Sequence, residues 1–318
     1  MLIDLPIPEL FTYGGRNPRP ADHDAYWDRA MGELDALDLR PELIPAEFSP
    51  AFAQCFDLWF TGVGGVRIHA RYVRPRNLTG KIPAVLKFHG YSGSAGDWFG
   101  LLPYAAAGMA IAAMDVRGQG GLSEDLGGVK GNTLHGHIIR GLDDGPDKLL
   151  FRNIFLDTAA LAKVLAGFKD IDGSRMGAFG GSQGGGLTAA CAALYPGLKR
   201  AAAIHPFLCD YRRVWEMDLA KGAYQELRDY FRHFDPRHER EDLIFTTLGY
   251  VDLQFLAPRI KADVLLLTGL MDTTCPPSSQ FAMYNKITAR KDVKLYPDFD
   301  HENLPDAGDL VFNFLMKL

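Results

Sequence analysis

Apolar positions change their period along this chain. Ala84–Phe88, interrupted only by Lys87, Ala110–Met114, Met176–Phe179, Ala201–Ile204, Val264–Thr268 and Val293–Tyr296 are short and largely apolar, which predicts buried strands. Between them the apolar residues move to helical spacing or to small, helix-forming runs, at Trp98–Ala107, Leu156–Phe168, Leu187–Leu194 and Ala307–Met316. Near the start, Ala21–Leu37 carries Trp27, Met31 and Leu34 on one helical face, with Asp22 at its opening. Phe52–Thr61 and Val66–Val73 are strand-like and flank a turn at Gly62–Gly65, so they predict a hairpin.

Strands alternating with helices imply an α/β fold, a mostly parallel sheet covered by helices on both faces. The leading hairpin adds an antiparallel edge. Phe207–Leu256 breaks the alternation, being helical, aromatic and charged, and is expected to be a helical insertion. Gly118–Lys148 reads as a loop-rich stretch. Neither a repeat nor a linker divides the chain, so residues 1–318 are expected to form one domain with its insertion around 207–256.

Composition narrows the function classes. Apolar residues make up 47% and charged residues 23%, which suits a chain burying a large core. The net charge of −5 provides no basic footprint for nucleic acid or an anionic membrane. No apolar run reaches the roughly 18 residues that span a bilayer, and the opening Met-Leu-Ile-Asp-Leu-Pro lacks the charged and apolar regions of a signal peptide. Cys55, Cys191, Cys209 and Cys275 are scattered without paired spacing and read as buried free thiols. Together these features predict a cytoplasmic protein.

The candidate chemistry centres on Gly180-Gly181-Ser182-Gln183-Gly184, which fits Gly-x-Ser-x-Gly. A strand ends just before it and a small-residue helix follows. That is the setting of a nucleophile elbow, in which a tight turn lifts the serine Oγ clear of the backbone. No Lys-Ser or Lys-Thr pair follows these glycines, so a phosphate-cradling loop is disfavoured. Ser182 is the expected nucleophile.

Functional residues in such sheets collect beyond the carboxyl ends of strands, and the acid and the base should follow the serine in that order. Asp272 lies in a turn past Val264–Thr268, and His301 lies in the loop between Val293–Tyr296 and the last helix. Asp298, Asp300 and Glu302 crowd His301 as rival partners. Asp272 is preferred because a group from another strand end can approach the imidazole from behind. His205 is set aside as too near the elbow strand, and His233 and His238 as parts of the insertion. The imidazole is needed to take the serine proton, and the carboxylate to orient it. The Gln183 N–H, directly after the nucleophile, and the Tyr91 N–H, in His89-Gly90-Tyr91 after the first buried strand, are the expected oxyanion donors. The Tyr91 side chain could equally be a packing element of the pocket wall.

With Arg117-Gly118-Gln119, the Gly-x-Ser-x-Gly segment and His301-Glu302 in place, the chain resembles carbohydrate esterase family 7, the acetyl xylan esterase and cephalosporin C deacetylase group. The likeness runs from Asn17-Pro18-Arg19-Pro20 and Tyr26-Trp27 through Gly269-Leu270-Met271-Asp272 to the last helix. It implies an α/β-hydrolase fold, Ser182, Asp272 and His301 as triad, and Tyr91 with Gln183 as oxyanion hole. It also implies a structural role for Arg117 and Gln119, small acetylated sugars and cephalosporin C as substrates, no metal or organic cofactor, and a hexamer.

Weaker signals point elsewhere. His135, His137, Asp143 and Asp144 could be read as a metal cluster but lack a zinc spacing. Trp215, Tyr224, Tyr230 and Phe231 could cover the pocket or bind sugar, against a reading as helix packing and subunit contact. An esterase for larger acyl groups, a peptidase, or a hydrolase-fold binding protein without turnover are the competing functions.

Overall fold

The computed structural model describes residues 3–126 and 131–318. Of the loop-rich stretch, residues 127–130 lie outside the described residues. Nine strands form one sheet in the order β1-β2-β3-β5-β4-β6-β7-β8-β9. They are β1 (Glu42–Pro45), β2 (Ala53–Thr61), β3 (Arg67–Pro75), β4 (Ile82–Phe88), β5 (Ala110–Met114), β6 (Ile171–Gly181), β7 (Arg200–Ile204), β8 (Asp263–Gly269) and β9 (Lys291–Tyr296). β1, β2, β3 and β5 pair antiparallel in succession, whereas β5, β4, β6, β7, β8 and β9 run parallel. The expected hairpin is therefore the antiparallel margin of a mostly parallel sheet.

The helices are α1 (Ile7–Leu10), α2 (His23–Asp35), α3 (Leu102–Ala106), α4 (Leu150–Ala166), α5 (Gln183–Leu194), α6 (Tyr211–Glu216), α7 (Gln225–Phe234), α8 (Glu241–Leu248), α9 (Leu253–Leu256), α10 (Pro277–Lys286) and α11 (Ala307–Leu315). Alternate strand residues serve opposite faces, as a period of two requires. In β5, Ala110, Ala112 and Met114 join the core beneath α2, α4 and α5, while Ile111 and Ala113 pack with residues of α3 and α11. Helices α6 to α9 lie between β7 and β8, where the insertion was expected. No helix among the described residues is long and apolar enough to cross a membrane.

Three elements depart from expectation. β1 lies in a Pro-rich, charged stretch and takes its order from pairing with β2 rather than from an apolar pattern. α4 begins at Leu150, six residues before the periodic stretch, because Leu150, Phe151 and Ile154 bury against the same core. α10 starts at Pro277, where the prolines read as loop stiffeners; a proline in the first turn gives up an N–H that has no helical partner there anyway.

Candidate active site

Four neighbouring parallel strands each deliver one side chain to a common point. Ser182 follows β6, His205 follows β7, Asp272 lies just past β8, and His301 is in the loop after β9. Ser182 adopts φ 57 and ψ −121, a left-handed backbone that L-residues avoid. Its neighbours hold it there: Ser182 N–H donates to Ile204 O at 2.8 Å, and Ser182 O accepts from Gly186 and Phe207 N–H at 3.1 Å each. The glycines are required by close approach. A Cβ at Gly180 would sit 2.5 Å from Phe88 O, and one at Gly184 2.1 Å from it. Gly181 faces open space, so the pattern's central demand rests on the two outer glycines. Gln183 opens α5, which aims the partial positive end of that helix at the serine.

Ser182 Oγ lies 3.0 Å from His301 Nε2, and His301 Nδ1 lies 2.9 Å from Asp272 Oδ2. Asp272 is wholly buried. Burial pushes its carboxyl up, but the His205 and His301 imidazoles beside it and the Cys275 N–H outweigh this and hold it below the ordinary range. Its Oδ1 accepts from Thr274 and Cys275 N–H at 2.9 and 2.7 Å, which fixes the carboxylate plane. The rival acids do not reach the ring. Asp300 Oδ1 accepts from the N–H groups of Thr273 and His301, and Glu302 Oε1 accepts from Asp300 N–H.

His205 stays off Ser182, as expected, but it joins the site beside Asp272. Nearness to the elbow strand in sequence is nearness to Asp272 in space, because β7 lies between β6 and β8. Its Nδ1 is 3.2 Å from Asp272 Oδ2, its Nε2 3.0 Å from Glu302 O, and its ring centroid 5.2 Å from that of His301. The strand-end rule that selected Asp272 applies equally to His205. A cavity of about 640 Å³ opens here, lined by Ser182, Ile204, His205, His301, Glu302 and Leu304 among others.

The loop after β4 is built around His89. Val116 N–H donates to His89 Nε2 at 3.0 Å, so Nδ1 carries the proton and donates to Gly90 O at 2.7 Å. Burial lowers the pKa of this imidazole and keeps it neutral. Gln119 and Gln183 exchange side-chain amide hydrogen bonds at 2.8 and 3.0 Å, and Gln119 Oε1 also accepts from Ser92 N–H at 2.9 Å. Gln119 thus joins the elbow to the Tyr91 loop. Arg117 makes two 2.6 Å bonds to Asp157 of α4 and one of 3.1 Å to Val63 O, all within the core. Burial pushes the Asp157 carboxyl up despite its partner. The Tyr91 ring packs edge-on against His137 and Phe207, and its hydroxyl accepts from His137 N–H at 3.3 Å.

The set-aside signals are used for packing. Asp143 accepts from Tyr230 and Arg240, while burial lowers the pKa of His137 to about 4. Trp215 and Phe231 pack at a tilt with centroids 4.8 Å apart, and Tyr224 packs on Phe207 at 4.4 Å. One carboxylate was missed. Glu226 of α7 accepts the N–H groups of Gly136, Ile138 and Ile139, and burial raises its pKa to about 7. No motif marks it, since its partners are backbone groups of a distant loop.

The acetyl xylan esterase (AXE1) family model matches residues 1–318. Acetyl xylan esterase 1 from Thermoanaerobacterium sp. JW/SL YS485 is 55% identical, with a TM-score of 0.96 over 99% of each chain. An acetyl xylan esterase from Paenibacillus sp. R4 is 35% identical, with a TM-score of 0.92 over 98% of this chain and 99% of its own. The acetyl esterase Axe7A of Xylanibacter ruminicola is 26% identical over 92% of this chain, which spans 66% of that relative's length. The fold is that of the α/β hydrolases, and the chain belongs to the acetyl xylan esterase (AXE1) family of carboxylic ester hydrolases.

Proposed function

We propose that the chain is a serine esterase that removes acetyl groups from small acetylated sugars, acetyl xylo-oligosaccharides above all, and from cephalosporin C-like acetates. The observation that carries this reading is the 3.0 Å contact between His301 Nε2 and Ser182 Oγ, with Asp272 behind the ring at 2.9 Å. Asp272 accepts the Nδ1 proton, which leaves the Nε2 lone pair to accept the serine proton. Ser182 Oγ attacks the acetyl carbonyl as His301 takes that proton, and the oxyanion is met by the N–H groups of Gln183 and Tyr91. Collapse returns the proton to the departing sugar oxygen and leaves an acetyl-serine. Water, deprotonated by His301, then releases acetate. Gln119 and Arg117 serve this indirectly, by fixing the loops that carry the donors.

The same reading takes residues 1–318 as one domain with an insertion near 207–256, tested by a single unfolding transition. The cytoplasmic location is supported by four free cysteines, all buried. The hexamer is supported by family likeness and is tested by sedimentation.

Hydrolysis of p-nitrophenyl esters from acetate to octanoate, by the wild type and by Ser182→Ala, tests the chemistry. A steep fall beyond the shortest chains, together with a loss of about 10⁴–10⁶ in kcat on substitution, is expected. Equal turnover of long esters would sink the acetyl assignment. Activity that survives in Ser182→Ala would sink the nucleophile.

A further inference from the structure

We infer that His205, Asp272 and His301 form a binding site for a divalent transition-metal ion of the zinc class, and that the bound ion arrests the esterase. The binding site stands on geometry alone; the arrest rests on the mechanism proposed above.

His205 is 4% exposed, and its Nε2 lies 3.0 Å from the Glu302 carbonyl oxygen. A carbonyl only accepts, so Nε2 bears the hydrogen, and in that tautomer the imidazole keeps its lone pair at Nδ1. That atom is buried, forms no hydrogen bond, and stands 3.2 Å from Asp272 Oδ2. A nitrogen and a carboxylate oxygen thus lie 3.2 Å apart out of water with no hydrogen bond joining them, an arrangement that an electrophile shared by both would relieve. The same oxygen is shared with His301 Nδ1 at 2.9 Å. The three ligating atoms lie within 4.8 Å of one another.

These dimensions suit zinc. Bonds of about 2.0–2.2 Å in a tetrahedron separate ligand atoms by roughly 3.3–3.5 Å, so the two edges at Asp272 Oδ2, 3.2 and 2.9 Å, must open by a few tenths of an ångström, while the edge between the two imidazoles starts within 4.8 Å. Two imidazoles and one carboxylate favour zinc, nickel or cobalt over magnesium or calcium. The outer contacts are those of a ligand set. His205 donates its far N–H to a carbonyl, and Asp272 Oδ1 is held by two backbone N–H groups. His205 and His301 both line the cavity, with Asp272 buried behind them, so an ion would enter from the cavity side.

The ion would stop turnover by a proton shift. Coordination needs the Nδ1 lone pair of His301, so its proton leaves Nδ1 for solvent while Nε2 takes one up. No net proton is released. Ser182 then faces an N–H instead of an acceptor, and no base remains to activate it.

Zinc chloride titration of the wild type, His205→Phe and His205→Gln in a non-chelating buffer tests this. Inhibition of the wild type reversed by EDTA is expected, with magnesium chloride inert. Both variants should need about tenfold more zinc or beyond, since losing even an outer partner of a metal ligand weakens affinity about 10–100-fold. Competition with a chromogenic chelator should find one zinc per chain in the wild type and in Ser182→Ala, weakened in the His205 variants. Equal inhibition across the series, or no zinc taken from the chelator by the wild type, overturns the site; in the latter case a proton fills the gap. The chelator assay needs no turnover, so a failure of the serine mechanism shows separately, as activity retained in Ser182→Ala. Should both His205 variants fail to fold, cobalt-loaded wild type decides. Visible bands of a four- or five-coordinate ion support the site, and their absence refutes it.

Discussion

His69 and His301 each set a ring nitrogen against an aspartate. His69 Nδ1 lies 2.7 Å from Asp115 Oδ2, and His301 Nδ1 lies 2.9 Å from Asp272 Oδ2. The difference is in the second nitrogen. His69 Nε2 meets another carboxylate, Asp57 Oδ1, at 2.8 Å, whereas His301 Nε2 meets the Ser182 hydroxyl at 3.0 Å. A ring between two carboxylates has both nitrogens engaged and offers no free acceptor for a substrate proton. It joins β2, β3 and the residue after β5 as a staple. A ring between a carboxylate and a hydroxyl keeps one acceptor. A His–Asp pair is therefore not a site in itself; what the far nitrogen faces decides.

Substitutions should separate the two pairs. His301→Ala is expected to lower kcat/KM by about 10⁴–10⁶ with a urea midpoint close to wild type. A small loss would remove His301 as the proposed base. Asp272→Asn should lower kcat by about 10⁴, through loss of the tautomer and of the charge behind the ring. His69→Phe should do the converse. It leaves Asp115 and Asp57 without their shared hydrogen-bonding partner and should cost about 3–5 kcal/mol in unfolding free energy, while the folded fraction keeps its kcat. If kcat fell as steeply as stability held, the comparison would be wrong. Arg117→Met should cost a similar 3–5 kcal/mol by stranding Asp157, and adding Asp157→Leu should recover most of it.

The smallest effect is a pH dependence at Glu226. Its carboxyl is raised from 4.5 to about 7 in the folded chain by burial. The stability that goes with the proton is fully present below about pH 4.5 and is lost as pH rises through about 7, on the order of 3 kcal/mol in all, most of it between pH 5 and pH 8. Urea unfolding at pH 5 and pH 8 should show this difference in the wild type and a smaller one in Glu226→Gln. Equal slopes in both proteins would exclude Glu226 as the source.

Much of this was legible from the chain. The central parallel strands, such as β5 and β8, are apolar on both faces, so their period-independent hydrophobicity announced them, and the rule that chemistry gathers past strand ends led to Ser182, Asp272 and His301. β1 was invisible because an edge strand needs only backbone partners, and Glu42 and Pro45 carry no strand signal. α10 was hidden by its opening prolines. His205 was set aside as too near the elbow strand to be the base, and its place beside Asp272 went unseen because only the strand order β6-β7-β8 puts those strand ends side by side.

By itself, then, the sequence determined which residue types could do acyl chemistry and which elements could carry them. Periodicity and glycine placement are local properties, and burial of apolar strands admits few sheets. Tertiary structure decided which acid among Asp272, Asp298, Asp300 and Glu302 stands behind His301, and which pairs of charge are staples. It also decided that a second imidazole shares Asp272 Oδ2. Those outcomes depend on hydrogen-bond distances of about 3 Å between groups dozens of residues apart. Only the order and register of the strands fix such distances.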